Sequence, residues 1–200
     1  MYRLRSSLSW KLRSWLSKGF KKLKTMVVNK TLNRKSVTNF NEFKKEFEEK
    51  GTDPEEVVLL YCIAALEYAN GNDDGHYMAT LTLPKNFCEK DSSSPSGFKL
   101  SIKGELYYLE QIRKRPNIIK SYLGGTPANN YEIDPDNLKL NVVEEAVEKD
   151  KAIIVIQSAG KDNNTPMQLK KNKHGYWKIF MGTSSIATGV KVTSDQVDDF

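Results

Sequence analysis

Read at 100° per residue, the chain shows its strongest pattern at the start. Leu4, Leu8, Leu12, Trp15, Leu16, Phe20, Leu23 and Met26 fall within an arc of about 160°, the stripe of an amphipathic helix over residues 1–26. Arg3, Lys11, Arg13, Lys18, Lys21, Lys22 and Lys24 take the remainder with four serines, Lys22 at the border of the stripe, while Arg5 and Trp10 break the pattern. Residues 27–38 are polar and aperiodic and read as a linker. Phe40, Phe43 and Phe47 then recur at helical spacing up to Gly51, which stops a short helix. Asp53, Pro54 and Glu56 open the next one as N-cap, first-turn proline and third-position acid. That helix, running to about Ala69, is apolar nearly all round and reads as the buried centre of the molecule, with Cys62 as a core thiol.

Beyond Asn70 the pattern predicts a short helix from His76 to Leu83 ended by Pro84, and a flexible surface loop from Asp91 to Gly97. A further helix is expected from Ile102 to Arg115, with Leu106, Leu109 and Ile112 on one face and Pro116 after it. From there the period changes. Residues 137–144, 152–158, 167–171, 176–181 and 186–192 are short, rich in Val and Ile, and separated by turn residues; Asn172 to Gly175 reads as a hairpin turn. Helices followed by consecutive short strands imply an α+β fold, with the helices on one face of a C-terminal antiparallel sheet of four or five strands. The expected organisation is helix 1–26, linker 27–38 and one domain over 39–200.

Charge sharpens the division. Residues 1–35 hold eleven of the thirty-one Lys and Arg and no Asp or Glu, which leaves twenty basic against twenty-five acidic residues in 36–200. A basic tail on an acidic body points to a dedicated electrostatic contact rather than a uniformly nucleic-acid-binding surface. The longest apolar run, Val57 to Leu66, is too short to span a bilayer as a helix. The first residues lack the apolar stretch of a secretory signal. Two cysteines, Cys62 and Cys88, build neither a disulfide framework nor a CxxC metal site.

Candidate chemistry is sparse. Asn70, Asn72, Asp74 and Gly75 match the first ligand positions of a calcium loop, but Leu81 stands where the bidentate glutamate belongs, so the stretch reads as a helix–helix turn. His76 and His174 have no partner at metal-ligand spacing and read as solvent-exposed; Cys88 with His76 is the one conceivable nucleophile pair. Ser158 to Lys161 lacks the spacing of a phosphate loop. Glu105, Glu110, Glu132 and Asp134 offer carboxylates without a pairing. No cofactor or metal is implied, and a non-enzymatic role is favoured. The segment from Ser121 to Tyr131 is distinctive. Gly124 and Gly125 permit unusual backbone angles, Asn129 and Asn130 can satisfy loop backbone groups, and Tyr122 and Tyr131 can pin its ends.

SYLGGTPANNY, the earlier DPEEVVLLYCIAALEY and the later QSAGKDNNTPMQLKKNKHGYWKIF resemble a family of uncharacterised, mostly bacterial proteins, a domain of unknown function. Its pattern has an S-Y-F-x-G-x-T-P-x-N-x-Y loop, an S-G-G-x-D loop and a K-x-x-G-x-W strand. The resemblance covers about residues 40–192, with Leu123 in place of the aromatic, a loop one residue shorter, and Ala159 in place of a glycine. It implies a single α+β domain and no particular activity.

The leading expectation is a protein that docks on an anionic membrane surface, or on a protein partner, through helix 1–26. Leu4, Leu8, Leu12, Trp15, Leu16 and Phe20 would insert while Lys11, Arg13, Lys18, Lys21 and Lys22 meet headgroups. The location expected is cytoplasmic and peripheral to the membrane. In a eukaryote the same signature would be a mitochondrial presequence. The alternative is a small-molecule-binding or weakly catalytic domain, its site bordered by Tyr122, Gly124, Gly125, Asn129, Asn130 and Tyr131. Nucleic-acid binding is disfavoured by the acidic body.

Overall fold

The computed structural model describes residues 23–193. Two sheets and six helices make up the described chain. Strand β1 (Met26–Arg34) comes first, then α1 (Phe40–Lys50), α2 (Pro54–Ala69) and α3 (Asp74–Thr82). The ribbon of β2 (Cys88–Lys90) and β3 (Phe98–Leu100) follows, then α4 (Glu105–Lys114) and α5 (Asn117–Lys120). A meander of β4 (Leu138–Val147), β5 (Lys151–Gln157), β6 (Thr165–Lys171) and β7 (Trp177–Met181) leads to α6 (Thr183–Ile186). The main sheet runs β1-β4-β5-β6-β7, antiparallel throughout, which makes the fold α+β.

Local chemistry accounts for the helices. Asp53 accepts from the backbone N–H groups of Glu55 and Glu56 at 2.9 and 3.4 Å, with Pro54 in the first turn; Asn39 caps α1 in the same way. From Val57 to Leu66 no side chain of α2 is more than 1% exposed. In the meander, Leu140, Val142, Ile154, Ile156, Met167, Leu169, Trp177 and Ile179 are buried on one face. Register keeps that face continuous, with Ile154 opposite Met167 and Leu169 opposite Ile179. Trp177 fixes the far edge. Its N–H donates to the Gly51 carbonyl at 2.8 Å and its indole Nε1 to the Thr52 carbonyl at 2.9 Å, tying β7 to the α1–α2 turn.

Four expectations change. Residues 27–34 are not linker but most of β1, which pairs with β4 from Met26–Glu145 to Arg34–Leu138. Only Val28, Leu32 and Arg34 of this edge strand escape full exposure, and Asn29 sits at positive φ in a bulge, so it shows no alternation. Residues 186–192 form no strand. The turn of α6 takes up Ile186, and the segment beyond is held by a bond from Lys191 N to the Gly160 carbonyl. The fifth strand therefore comes from the N-terminal side. Asp91 to Gly97 is the turn of the β2–β3 hairpin, closed by Asp91 N to Gly97 O at 3.1 Å. Finally, α4 starts at Glu105 rather than Ile102, because residues 102–104 form a turn ahead of it.

Candidate functional site

Residues 1–22 lie outside the described residues, and with them Leu4, Leu8, Lys11, Leu12, Arg13, Trp15, Leu16, Lys18, Phe20, Lys21 and Lys22. The helix read over 1–26 does not reach its expected end: residues 23–25 are irregular and Met26 opens β1. The structure does fix where this segment meets the body. It joins one corner of the sheet edge, where Met26, Val27 and Val147 are 67, 72 and 52% exposed. Met26 and Val27 pair with Glu145 and Glu144, two to three residues before Val147. An apolar corner therefore adjoins the basic segment.

The 121–131 loop is a packed junction. Tyr122 and Tyr131 are buried; Tyr122 shares a hydrogen bond with Thr165 at 2.6 Å, and burial pushes its hydroxyl up to about 12. The Tyr131 hydroxyl donates to the Lys191 carbonyl at 2.7 Å. Thr126 and Asn129 form a reciprocal capping box, and Asn129 Nδ2 also donates to the Glu132 carbonyl. Gly124 has φ +107°, and a Cβ on Gly125 would meet the Tyr131 carbonyl oxygen at 2.8 Å, so neither site accepts a side chain without strain. The loop binds the 158–160 turn: Ser121 and Ser158 hydroxyls lie 2.7 Å apart, and Ala159 N donates to the Ser121 carbonyl at 2.9 Å. Gly160 packs so closely on the Tyr131 hydroxyl that a Cβ would stand 2.6 Å from it. Two of the distinctive sequence segments thus hold each other. Asn129 and Asn130 are exposed, and none of the six loop residues lines the cavities described next.

Two lysines have their ammonium groups pushed down to about 8 by burial, and their surroundings differ. Lys161 borders an open depression of about 620 Å³ between the β5–β6 loop and residues 185–191. Its three N–H donors meet Ser185 O, Ile186 O and Thr188 Oγ1 at 2.8, 3.0 and 2.8 Å. It caps α6 and has no donor left over. Lys178 lines a cavity of about 560 Å³ between the C-terminal end of α3, the β2–β3 hairpin and the β6–β7 turn. Among the described residues its ammonium bonds only the Leu81 carbonyl and lies 4.3 Å from the centre of the Phe47 ring. Part of its hydrogen-bonding capacity stays open. Leu81, Leu83, Pro84 and Phe98 supply apolar walls, and Lys85, Lys173 and His174 stand around them. An apolar cavity with an unsaturated cation can hold an anion.

Several other titratable groups hold elements of the fold together. His76 is half-buried rather than solvent-exposed: its Nε2 accepts from Leu100 N at 2.8 Å, tying α3 to β3, and desolvation holds it below the usual range. His174 is exposed. Cys88 does not pair with His76. Its thiol is turned to the Pro84 carbonyl at 3.9 Å and burial pushes it up to about 11, while Cys62 reaches about 12 in the core. Where β1 and β4 meet α2, Lys30 Nζ lies 2.6 Å from Glu55 and 3.2 Å from Glu145. Burial, with the adjoining Glu145, pushes Glu55 up to about 7, and its hydrogen bond holds Glu145 below the usual range. Arg34 bridges Glu46 and Glu56 beside them. Lys178 and Glu55 carry no sequence signature, because each acquires its environment from distant segments.

A family model described as a domain of unknown function (DUF6935) matches residues 35–194, in agreement with the resemblance over 40–192. No curated protein and no solved structure matches the chain.

Proposed function

The chain belongs to that family of unknown function, and we propose that it docks on an anionic membrane surface through its basic N-terminal segment, the body serving as a folded platform. One observation carries the reading. Eight Lys and Arg within residues 1–24, with no Asp or Glu, interleave with an apolar stripe, and β1 joins that segment to a sheet corner where Met26 and Val27 are exposed. Each cation near an anionic leaflet contributes roughly 1 kcal/mol at most, so partial engagement gives reversible attachment. Trp15, Leu16 and Phe20 would supply insertion and Lys11, Arg13, Lys18, Lys21 and Lys22 the headgroup contacts. The location that follows is peripheral to a membrane.

Co-sedimentation of the full chain with anionic and neutral vesicles tests this. The protein is expected to pellet with anionic vesicles alone, and Trp15→Glu with Leu16→Glu to abolish pelleting while the melting transition of the body stays in place. Failure of the unaltered protein to pellet would sink the proposal. It would leave a presequence or a helix bound to a protein partner as the use of residues 1–22.

A further inference from the structure

The Lys178 cavity shares no lining residue with the sheet corner at Met26, Val27 and Val147. We infer that it binds a monocarboxylate with an apolar chain, the carboxylate on Lys178 and the chain against Leu81, Leu83, Pro84 and Phe98.

Three observations meet in this choice of ligand. First, the lining contains three lysines and a histidine and no Asp or Glu, although residues 36–200 carry more acidic than basic groups. The charge of the cavity therefore opposes that of the body around it, and a cationic ligand is disfavoured. Second, the interior cation has spare hydrogen-bonding capacity. Capping the end of α3 takes one N–H of Lys178, through the Leu81 carbonyl, whereas Lys161 spends all three of its donors on α6. An oxygen anion can take the capacity that the Leu81 carbonyl and the Phe47 ring leave open. Third, the walls are mostly aliphatic and aromatic, and about 560 Å³ lies within the range of small-molecule sites. Lys85 and Lys173 are exposed and belong to the rim. A single interior ammonium suits a single negative charge.

Cys88 supplies a readout local to the cavity. It is the half-buried cysteine of the lining, and the other cysteine, Cys62, is buried in the core. Alkylation of Cys88 by N-ethylmaleimide in the full-length protein should be slowed by octanoate. 1-Octanol has the same chain and no charge. A hydrogen bond to a charged group separates the two by about tenfold in the half-protecting concentration. Lys178→Met keeps the apolar stem and is expected to bring octanoate to the level of octanol. If that variant does not fold, Lys85→Met with Lys173→Met lowers only the rim charge, and octanoate should then protect more weakly than in the unaltered protein. Equal protection by octanoate and octanol overturns the inference, as does no protection by either. A preference for octanoate that survives in folded Lys178→Met also overturns it, leaving Lys178 as a helix cap. The readout does not involve residues 1–22, so it is unaffected by whether the protein binds vesicles.

Discussion

Glu55 illustrates how a side chain placed at a helix start for one reason is altered by what folds over it. In sequence it is an ordinary first-turn acid, suited to the positive end of α2. Folding lays β1 and β4 across it, and burial raises its carboxyl from 4.5 to about 7. Between those values the folded state holds a proton that the unfolded chain has released. Stability therefore falls as pH rises through the window and levels off above it. His76, held below its ordinary value, acts in the opposite sense, so the comparison must be made against Glu55→Gln rather than on the unaltered protein alone. Urea unfolding between about pH 5 and pH 7.5 should show the unaltered protein losing stability relative to Glu55→Gln as pH rises. Parallel curves would mean that Lys30 keeps Glu55 ionised throughout. Neither Glu55 nor Lys178 was legible in the sequence as an unusual group. Lys30 lies twenty-five residues from Glu55, and Leu81 lies ninety-seven from Lys178. The burial of Tyr122 and Tyr131 and the amide role of Asn129 were legible, because loop glycines, an X-Pro step and flanking aromatics act within a few residues.

At the level of elements, the strands and helices that could be read carry their own periodicity and punctuation. Asp53-Pro54 marks α2, and the alternation of β4 to β7 survives because one face is buried. β1 has no such pattern, being an edge strand with a bulge at Asn29 and most of its side chains exposed. Residues 186–192 have strand composition and no strand to pair with. The difference matters for any attempt to remove the N-terminal segment. A chain starting at residue 36 loses β1 and leaves the β4 edge and the carboxylates of Glu55, Glu56 and Glu145 without Lys30 and Arg34. Stripped of a ladder and its ion pairs, such a chain is expected to melt at least about 5 °C lower than one starting at residue 24, and to aggregate. Equal melting temperatures would show that β1 contributes nothing to the sheet.

For the whole molecule, the division of charge decides which contacts are electrostatically open. The tail is basic, the body acidic, and the Lys178 cavity a basic inlet in that body. Attachment that combines cations with inserted Trp15 and Leu16 should outlast screening better than attachment to phosphates alone. At about 0.5 M salt, association with anionic vesicles is expected to persist in part while any binding to nucleic acid is lost. Parallel loss of both would point to charge without insertion. The β1–β4 pairing also sets an order of events. Thr25 bonds Glu144, 119 residues later, so during synthesis β1 leaves the ribosome well before its partner exists. Contacts so distant in sequence close late in folding. Residues 1–25 thus leave the ribosome well before β4, so they can meet a membrane or an import receptor before the sheet edge at β1 is complete.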